Sequence, residues 1–279
     1  MNVPTVTLPS GDEMPVVGAG TWNLHGDTVR KSVRHALENG YTHIDTAEGY
    51  QNETEIGDII SEYDRDELFL TSKVTPKNLH YESIIRACEE SLKRLQTDYL
   101  DLYLIHWPNP AISIRETLSG MNRLCERGLV RNIGVSNFNA YQLSAAQHVS
   151  GRPIAVNQIE FHPWYTQRRV VELCNQTDVQ VVGAAPLART EILDDPTIQD
   201  LAEEYDRTPA QIVLRWEIEE DAVVLPKSTS ADHLRDNLDL FDWELTDTDR
   251  RRIADLACDQ PVYDLPGFKW DDEMYGIQR

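Results

Sequence analysis

Lysine is scarce in this 279-residue chain: Lys31, Lys73, Lys77, Lys93, Lys227 and Lys269 are the only six. Arginine raises the basic total to 26 against 47 acidic residues, for a net charge of −21. Such an excess repels phosphate backbones and anionic lipid, which argues against nucleic acid or membrane as the main partner. Long apolar runs are also missing. No stretch approaches the roughly 18 uninterrupted apolar residues of a membrane span, and the start, MNVPTVTLPSG, has no basic segment followed by an apolar run. A cytoplasmic location is therefore expected. Cys88, Cys125, Cys174 and Cys258 lie far apart, with no C-x-x-C pair and no histidine at metal-ligand spacing. They read as small apolar fillers, and no metal site is expected. Nothing rich in Pro, Gly or Ser interrupts the chain, so residues 1–279 are expected to form one domain.

The hydrophobic share of 41% and charged share of 26% are those of a globular protein, so a packed core is expected. The acids are dispersed, as in Asp194-Asp195, Glu203-Glu204 and Glu219-Glu220-Asp221, and read as a solvated coat. A dispersed carboxylate coat with few lysines resembles proteins of salt-rich cytoplasm, where screening shortens the range of self-repulsion.

The chain opens as a hairpin would, Val3 to Leu8 and Glu13 to Val17 about a turn at Pro9-Ser10-Gly11. Eight short apolar runs follow: VVGAG near Val16, THID at Thr42, LFLTSKV at Leu68, YLDLYLIH at Tyr99, RNIGVSN at Arg131, IAVNQIE at Ile154, VQVVGAA at Val179 and AVVLP at Ala222. Segments of helical spacing separate them, at 27–39, 53–62, 81–95, 114–127, 140–148, 167–175 and 197–205, with 230–238 after the last run. Asp27, Asn139 and Ser230 are candidate caps, and 209–219 is an extra helix before the last run. Runs rich in Val, Ile and Leu with little polar alternation are parallel strands buried on both faces. Eight alternating units predict a closed (β/α)8 TIM barrel with an N-terminal β-hairpin cap. The competing doubly wound sheet lacks its glycine fingerprint, since GAGTWNLHG from Gly18 has only two glycines in register.

In such a barrel the polar residues that end strands face the active site. Here they are Asp45, Lys73, His106, Ser136, Asn137, Gln158, Lys227 and Ser228. Singly, each has an ordinary reading: Asp45 as a helix cap, His106 as a satisfied core histidine, Lys73 as a surface residue. Their joint placement at successive strand ends favours a site.

In family order the chain carries GTWNL from Gly20, GYTHIDTAEGYQNETEIG from Gly40, TSKV from Thr71, LIHWP from Leu104, GVSNF from Gly134, NQIEFHPW from Asn157 and LPKS from Leu225. With these it resembles the aldo-keto reductase family over nearly its whole length, and its compactness resembles the microbial members. The resemblance implies reduction of a small aldehyde or ketone, with hydride from NADPH, or NADH as the alternative. Tyr50 matches the proton donor, Lys73 the cation that lowers its pKa, Asp45 the partner of Lys73, and His106 a neutral donor that orients the substrate oxygen. Ser136, Asn137 and Gln158 match the carboxamide-binding positions, with Thr21, Trp22 and Asp45 beside them. Pro186 and Leu187 follow the seventh strand in the cofactor path. Lys227, Ser228 and His233 match the phosphate end, and Asn237 an adenine contact. Tyr50, His106 and Trp107 are expected to touch substrate, and Phe161, Trp164 and the tail from Asp264 to Trp270 are further pocket candidates. A monomer is expected.

Three positions depart from the family pattern. Ala184 stands where an aromatic residue usually stacks on the nicotinamide, and His233 where an arginine usually meets the 2′-phosphate. Val74-Thr75 stands where relatives often place a pocket tryptophan. Two rival functions remain: a cofactor-binding regulatory subunit without turnover, and a Schiff-base aldolase built on Lys73. A complete proton-donor set favours the reductase over the first. The expected pairing of Lys73 with Asp45 favours a charged lysine and disfavours the second.

Overall fold

The computed structural model describes residues 3–263. Strands β1 (Thr5–Thr7) and β2 (Glu13–Pro15) form an antiparallel hairpin. Its turn is held by Asn132 Nδ2, which donates to Asp12 Oδ2 at 2.9 Å. Asn132 belongs to the start of a barrel strand, so the hairpin lies against the N-terminal end of the barrel and leaves the other end open.

Eight parallel strands follow: β3 (Ala19–Gly20), β4 (His43–Asp45), β5 (Phe69–Val74), β6 (Leu100–Ile105), β7 (Val130–Ser136), β8 (Val156–Glu160), β9 (Gln180–Ala184) and β10 (Val223–Val224). Each pairs with the next in chain order, and a parallel bridge between Val17 and Val224 brings the last back to the residues just before the first. Val224 N–H donates to the Val16 carbonyl, and Gly18 N–H to the Val224 carbonyl, both at 2.9 Å; Gly20 N–H reaches the Pro226 carbonyl at 3.1 Å. This seam needs glycine. A Cβ on Gly18 would lie 2.7 Å from the His43 ring, and one on Gly20 would lie 2.8 Å from the Leu225 carbonyl oxygen. Both are closer than side chains pack. The first barrel strand is the last two residues of the run VVGAG, and Val16 and Val17 pack as core just before it.

Among the described residues ten α-helices surround or append to the barrel: α1 (Gly26–Glu38), α2 (Glu53–Ile60), α3 (Tyr81–Leu95), α4 (Ile114–Glu126), α5 (Ala140–Val149), α6 (Arg168–Gln176), α7 (Pro196–Tyr205), α8 (Pro209–Glu219), α9 (Ala231–Asp236) and α10 (Asp247–Ala254). The Asn139 side chain accepts from Gln142 N–H and Ser230 from His233 N–H, as their cap positions predict. Asp27 is not a cap. It sits inside the first turn of α1, where its charge favours the positive helix end. Helix α10 was not predicted, because DTDRRRIA has no apolar stripe; Thr246 caps it and Ile253 alone among its apolar residues is fully buried. Two cysteines are core fillers, Cys88 and Cys174, but Cys258 is exposed. No described helix is long and apolar enough to cross a membrane.

Candidate active site

Five neighbouring strands deliver the polar residues to the open end. Asp45 ends β4, Lys73 sits one residue before the end of β5, His106 follows β6, Ser136 ends β7, and Gln158 lies opposite Ser136 on β8. Lys73 has no exposed surface. Its Nζ donates to Asp45 Oδ1 at 2.6 Å, to the Thr46 carbonyl at 2.9 Å and to the Tyr50 hydroxyl at 3.4 Å. All three ammonium protons thus have an oxygen, the condition for keeping a buried charge. Burial lowers the Lys73 pKa and Asp45 opposes the shift. The second Asp45 oxygen accepts from Gln158 Nε2 at 2.9 Å, so the carboxylate is aimed from two sides.

Tyr50 reaches this ammonium through a one-turn helix at Glu48–Tyr50. Glu48 Oε1 accepts from Thr75 N–H at 2.6 Å and from Asn78 Nδ2 at 3.0 Å, which fastens the turn to the end of β5. Buried Asn52 holds the other side: its Oδ1 accepts from the Thr46 hydroxyl at 2.7 Å, and its amide donates to the Thr21 and Leu24 carbonyls at 2.9 and 3.0 Å. Glu53 accepts from Ser72, the neighbour of Lys73, at 2.6 Å and from Arg94 at 2.8 Å. These three supports went unassigned in the sequence, although Glu48, Asn52 and Glu53 lie inside the motif around Tyr50.

The Tyr50 ring meets His106 edge-on, with centroids 5.4 Å apart. Burial and then the Lys73 charge push the His106 pKa down to about 3, so its ring is neutral at physiological pH. The Tyr50 phenol behaves differently from expectation. Burial, followed by the Asp45 charge, pushes its pKa well up. Tyr50 is therefore a firmly held proton at neutral pH. With no exposed surface, Lys73 is out of reach of a substrate carbonyl, which counts against a Schiff base.

Beside this cluster the Thr21 hydroxyl donates to the Asp45 carbonyl at 2.9 Å, and Asn137 Nδ2 to the His106 carbonyl at 2.9 Å. Asn137 holds a left-handed backbone, φ 61°, which turns its amide back over β6. Trp22 is the largest exposed apolar ring here, 44% accessible, and two cations stand over it: Lys227 Nζ at 5.4 Å and the Arg189 guanidinium at 5.2 Å from its centroid. Among the described residues neither cation has a carboxylate partner, and Arg189 helps to lower the Lys227 pKa, after burial. An unneutralised cation pair in a chain of charge −21 is suited to an anionic ligand. Arg189 was missed in the sequence because it belongs to no strand end.

The remaining predicted residues are spread along the same rim. Pro186 is buried and Leu187 half-buried in the turn after β9, next to Ala184. Ser228 Oγ accepts from Ser230 N–H at 3.1 Å. His233 is exposed on α9 and Asn237 is buried at its end. Trp107 is half-buried directly after His106, and Trp164 is half-buried after β8. Phe161 is a correction: it stacks on Trp216 in the core, 5.7 Å between centroids and 11° between planes, and does not line the pocket. The tail from Asp264 to Trp270 lies outside the described residues.

The sequence profile of the Aldo/keto reductase family matches residues 16–257. The chain belongs to this family. It is 39% identical over 261 residues to the glyoxal reductase of Bacillus subtilis (strain 168), covering 92% of this chain and 94% of that one. Among solved structures, the aldo/keto reductase of Brucella melitensis superposes with a TM-score of 0.87 at 40% identity, covering 91% of this chain and all of that one (100%). A Bombyx mori aldo-keto reductase crystallised in complex with NADP gives 0.89 at 35% identity, over 95% of this chain and 96% of that one.

Proposed function

We propose that this aldo-keto reductase reduces a small aldehyde or ketone to the alcohol, with NADPH as the preferred cofactor and NADH as the alternative. The observation that carries the reading is the wholly buried ammonium of Lys73, held by Asp45 at 2.6 Å and directed at the Tyr50 hydroxyl at 3.4 Å. Reduction needs a hydride at carbon and a proton at oxygen, so a general acid must stand within hydrogen-bond reach of that oxygen. The nicotinamide cofactor, when bound, supplies the hydride. Tyr50 gives its proton to the carbonyl oxygen, and Lys73 stabilises the phenolate left behind. Asp45 keeps the ammonium charged and aimed, and neutral His106 donates to the same oxygen and orients it.

The residues present fit such a cofactor. The cations Lys227 and Arg189 about Trp22, without a carboxylate partner among the described residues, suit its phosphates. Gln158 gives its amide N–H to Asp45, which leaves its carbonyl for the carboxamide beside Ser136 and Asn137. Thr21, Pro186 and Leu187 border the path, with Ser228, His233 and Asn237 at its adenosine end. The NADP complex of the Bombyx mori relative and the glyoxal reductase name of the Bacillus subtilis relative support the cofactor and the substrate class.

The chain works as a one-domain monomer in a saline cytoplasm, in keeping with its charge of −21. Withdrawing KCl from multimolar to low concentration should lower its melting temperature; an unchanged melt would remove the saline setting. The central test is Tyr50→Phe. Cofactor affinity should stay within about twofold while carbonyl reduction falls by about 100-fold or more, read by NADPH absorbance against a carbonyl panel at high salt. Activity within a few-fold of wild type would refute Tyr50 as the acid.

A further inference from the structure

Glu160 ends β8 two residues beyond Gln158, and 3% of its surface is exposed. A carboxylate so buried needs donors on both oxygens. Oε1 accepts from Val262 N–H at 2.5 Å and from His162 Nε2 at 2.9 Å, and Oε2 accepts from Tyr263 N–H at 3.1 Å. His162 must carry its proton on Nε2, because a carboxylate only accepts. Two successive main-chain donors about 100 residues away in sequence thus converge on one side chain.

The loop after β8 holds the same incoming segment. The Trp164 carbonyl accepts from Cys258 N–H at 3.1 Å and from Gln260 N–H at 3.3 Å, while Gln167 Nε2 closes the loop on the Glu160 carbonyl at 2.6 Å. Residues 258–263 form no helix or strand, so these bonds fix their path. Burial is the main reason that the Tyr263 pKa is pushed upward. The Arg189 guanidinium that stands over Trp22 also lies 5.7 Å from the Tyr263 ring.

We infer that Glu160 is a positioning residue for substrate selection: by receiving the N–H groups of Val262 and Tyr263, it sets Tyr263 as a pocket wall beside Arg189 and Trp22 at the open end of the barrel. This role rests on the reductase reading above. Glu160 itself touches no reacting atom. A carboxylate suits the task, because both of its oxygens accept and two adjacent N–H groups can be held at once. Glu160→Gln keeps the shape but turns one oxygen into a donor facing a donor.

Three readouts test it. Hydrogen exchange across residues 258–263 should be slow in wild type and fast in Glu160→Gln. The KM for a bulky aromatic aldehyde should rise by about tenfold, as misplacement of a binding wall does. The kcat/KM for a two-carbon aldehyde and the NADPH dissociation constant should stay within about twofold. Tyr263→Ala, at the rim, leaves the buried carboxylate intact and should shift the bulky-to-small ratio the same way. The double variant should add nothing further. Unchanged exchange, an equal loss for both aldehydes, or additive losses would each overturn the role. A wild-type chain inactive toward every carbonyl would overturn the reductase reading and the role together, whereas an active chain with an unchanged ratio overturns the role alone.

Discussion

Asp45→Asn offers the sharpest perturbation of the site, because it removes a charge and almost no volume. Asp45 is 4% exposed and accepts from Lys73 at 2.6 Å and Gln158 at 2.9 Å. Whichever way the asparagine amide turns, its NH2 faces one of these donors. The Lys73 ammonium keeps the Thr46 carbonyl and the Tyr50 hydroxyl but loses the carboxylate bonded to it. Breaking a buried pair in this way costs about 3–5 kcal/mol. At roughly 2–4 °C per kcal/mol for a chain of this size, the melting temperature should fall by about 6–20 °C at pH 7. The sign of the pH dependence follows from Lys73. Burial already lowers its pKa in the folded wild type, and without Asp45 it drops further. Between that lowered value and the unfolded value of about 10.4, the unfolded chain binds more protons, so stability of the variant rises with pH. The gap to wild type should therefore narrow as pH climbs toward about 10. Reduction should fall by about 100-fold or more at neutral pH, since a neutral lysine does not stabilise the Tyr50 phenolate. Melting curves from pH 6 to 10 at constant high KCl read the first effect, and single-turnover reduction the second. A melt within about 2 °C of wild type, with the same pH slope, would refute the buried ion pair as the support of the site.

Two further substitutions probe other parts of the molecule. Glu217 is fully buried on α8, neither carboxyl oxygen has a partner among the described residues, and burial raises its pKa well above the usual range. Glu217→Leu should stabilise by about 1–3 kcal/mol at pH 7. The folded acid keeps its proton while the unfolded one ionises above about 4.3, so wild-type stability falls as pH rises and the gain should shrink toward pH 4; a gain independent of pH would contradict this. His233→Arg places a permanent charge on exposed α9, where Asp232 and Asp236 already occupy Arg235. The preference for NADPH over NADH should rise by about tenfold in kcat/KM, and an unchanged ratio would put the 2′-phosphate elsewhere.

Much of the fold was legible in the sequence, because burial on both faces of a parallel strand leaves an apolar signature that needs no partner to be read. The runs around Leu70, Leu102 and Val135 have it, and the helices between them carry the complementary period. Helix α10 lacked that signal, and Asp27 looked like a cap because local sequence does not show where the turn before it ends. Strand ends marked Asp45, Lys73, His106 and Gln158 without any view of their meeting. What the sequence determined alone was the order of elements, the polar residues at their ends and the motifs of the family.

Tertiary structure decided how far apart the charges stand. The Tyr50 phenol is pushed up by burial and then by the Asp45 charge, while Lys73 stands 2.6 Å from Asp45 and 3.4 Å from the phenol, distances that no motif encodes. Phe161 joined the core, Arg189 met Lys227 across Trp22, and Glu160 caught the N–H groups of Val262 and Tyr263. Each of these depends on segments brought together from distant parts of the chain, so each was fixed only when the barrel closed.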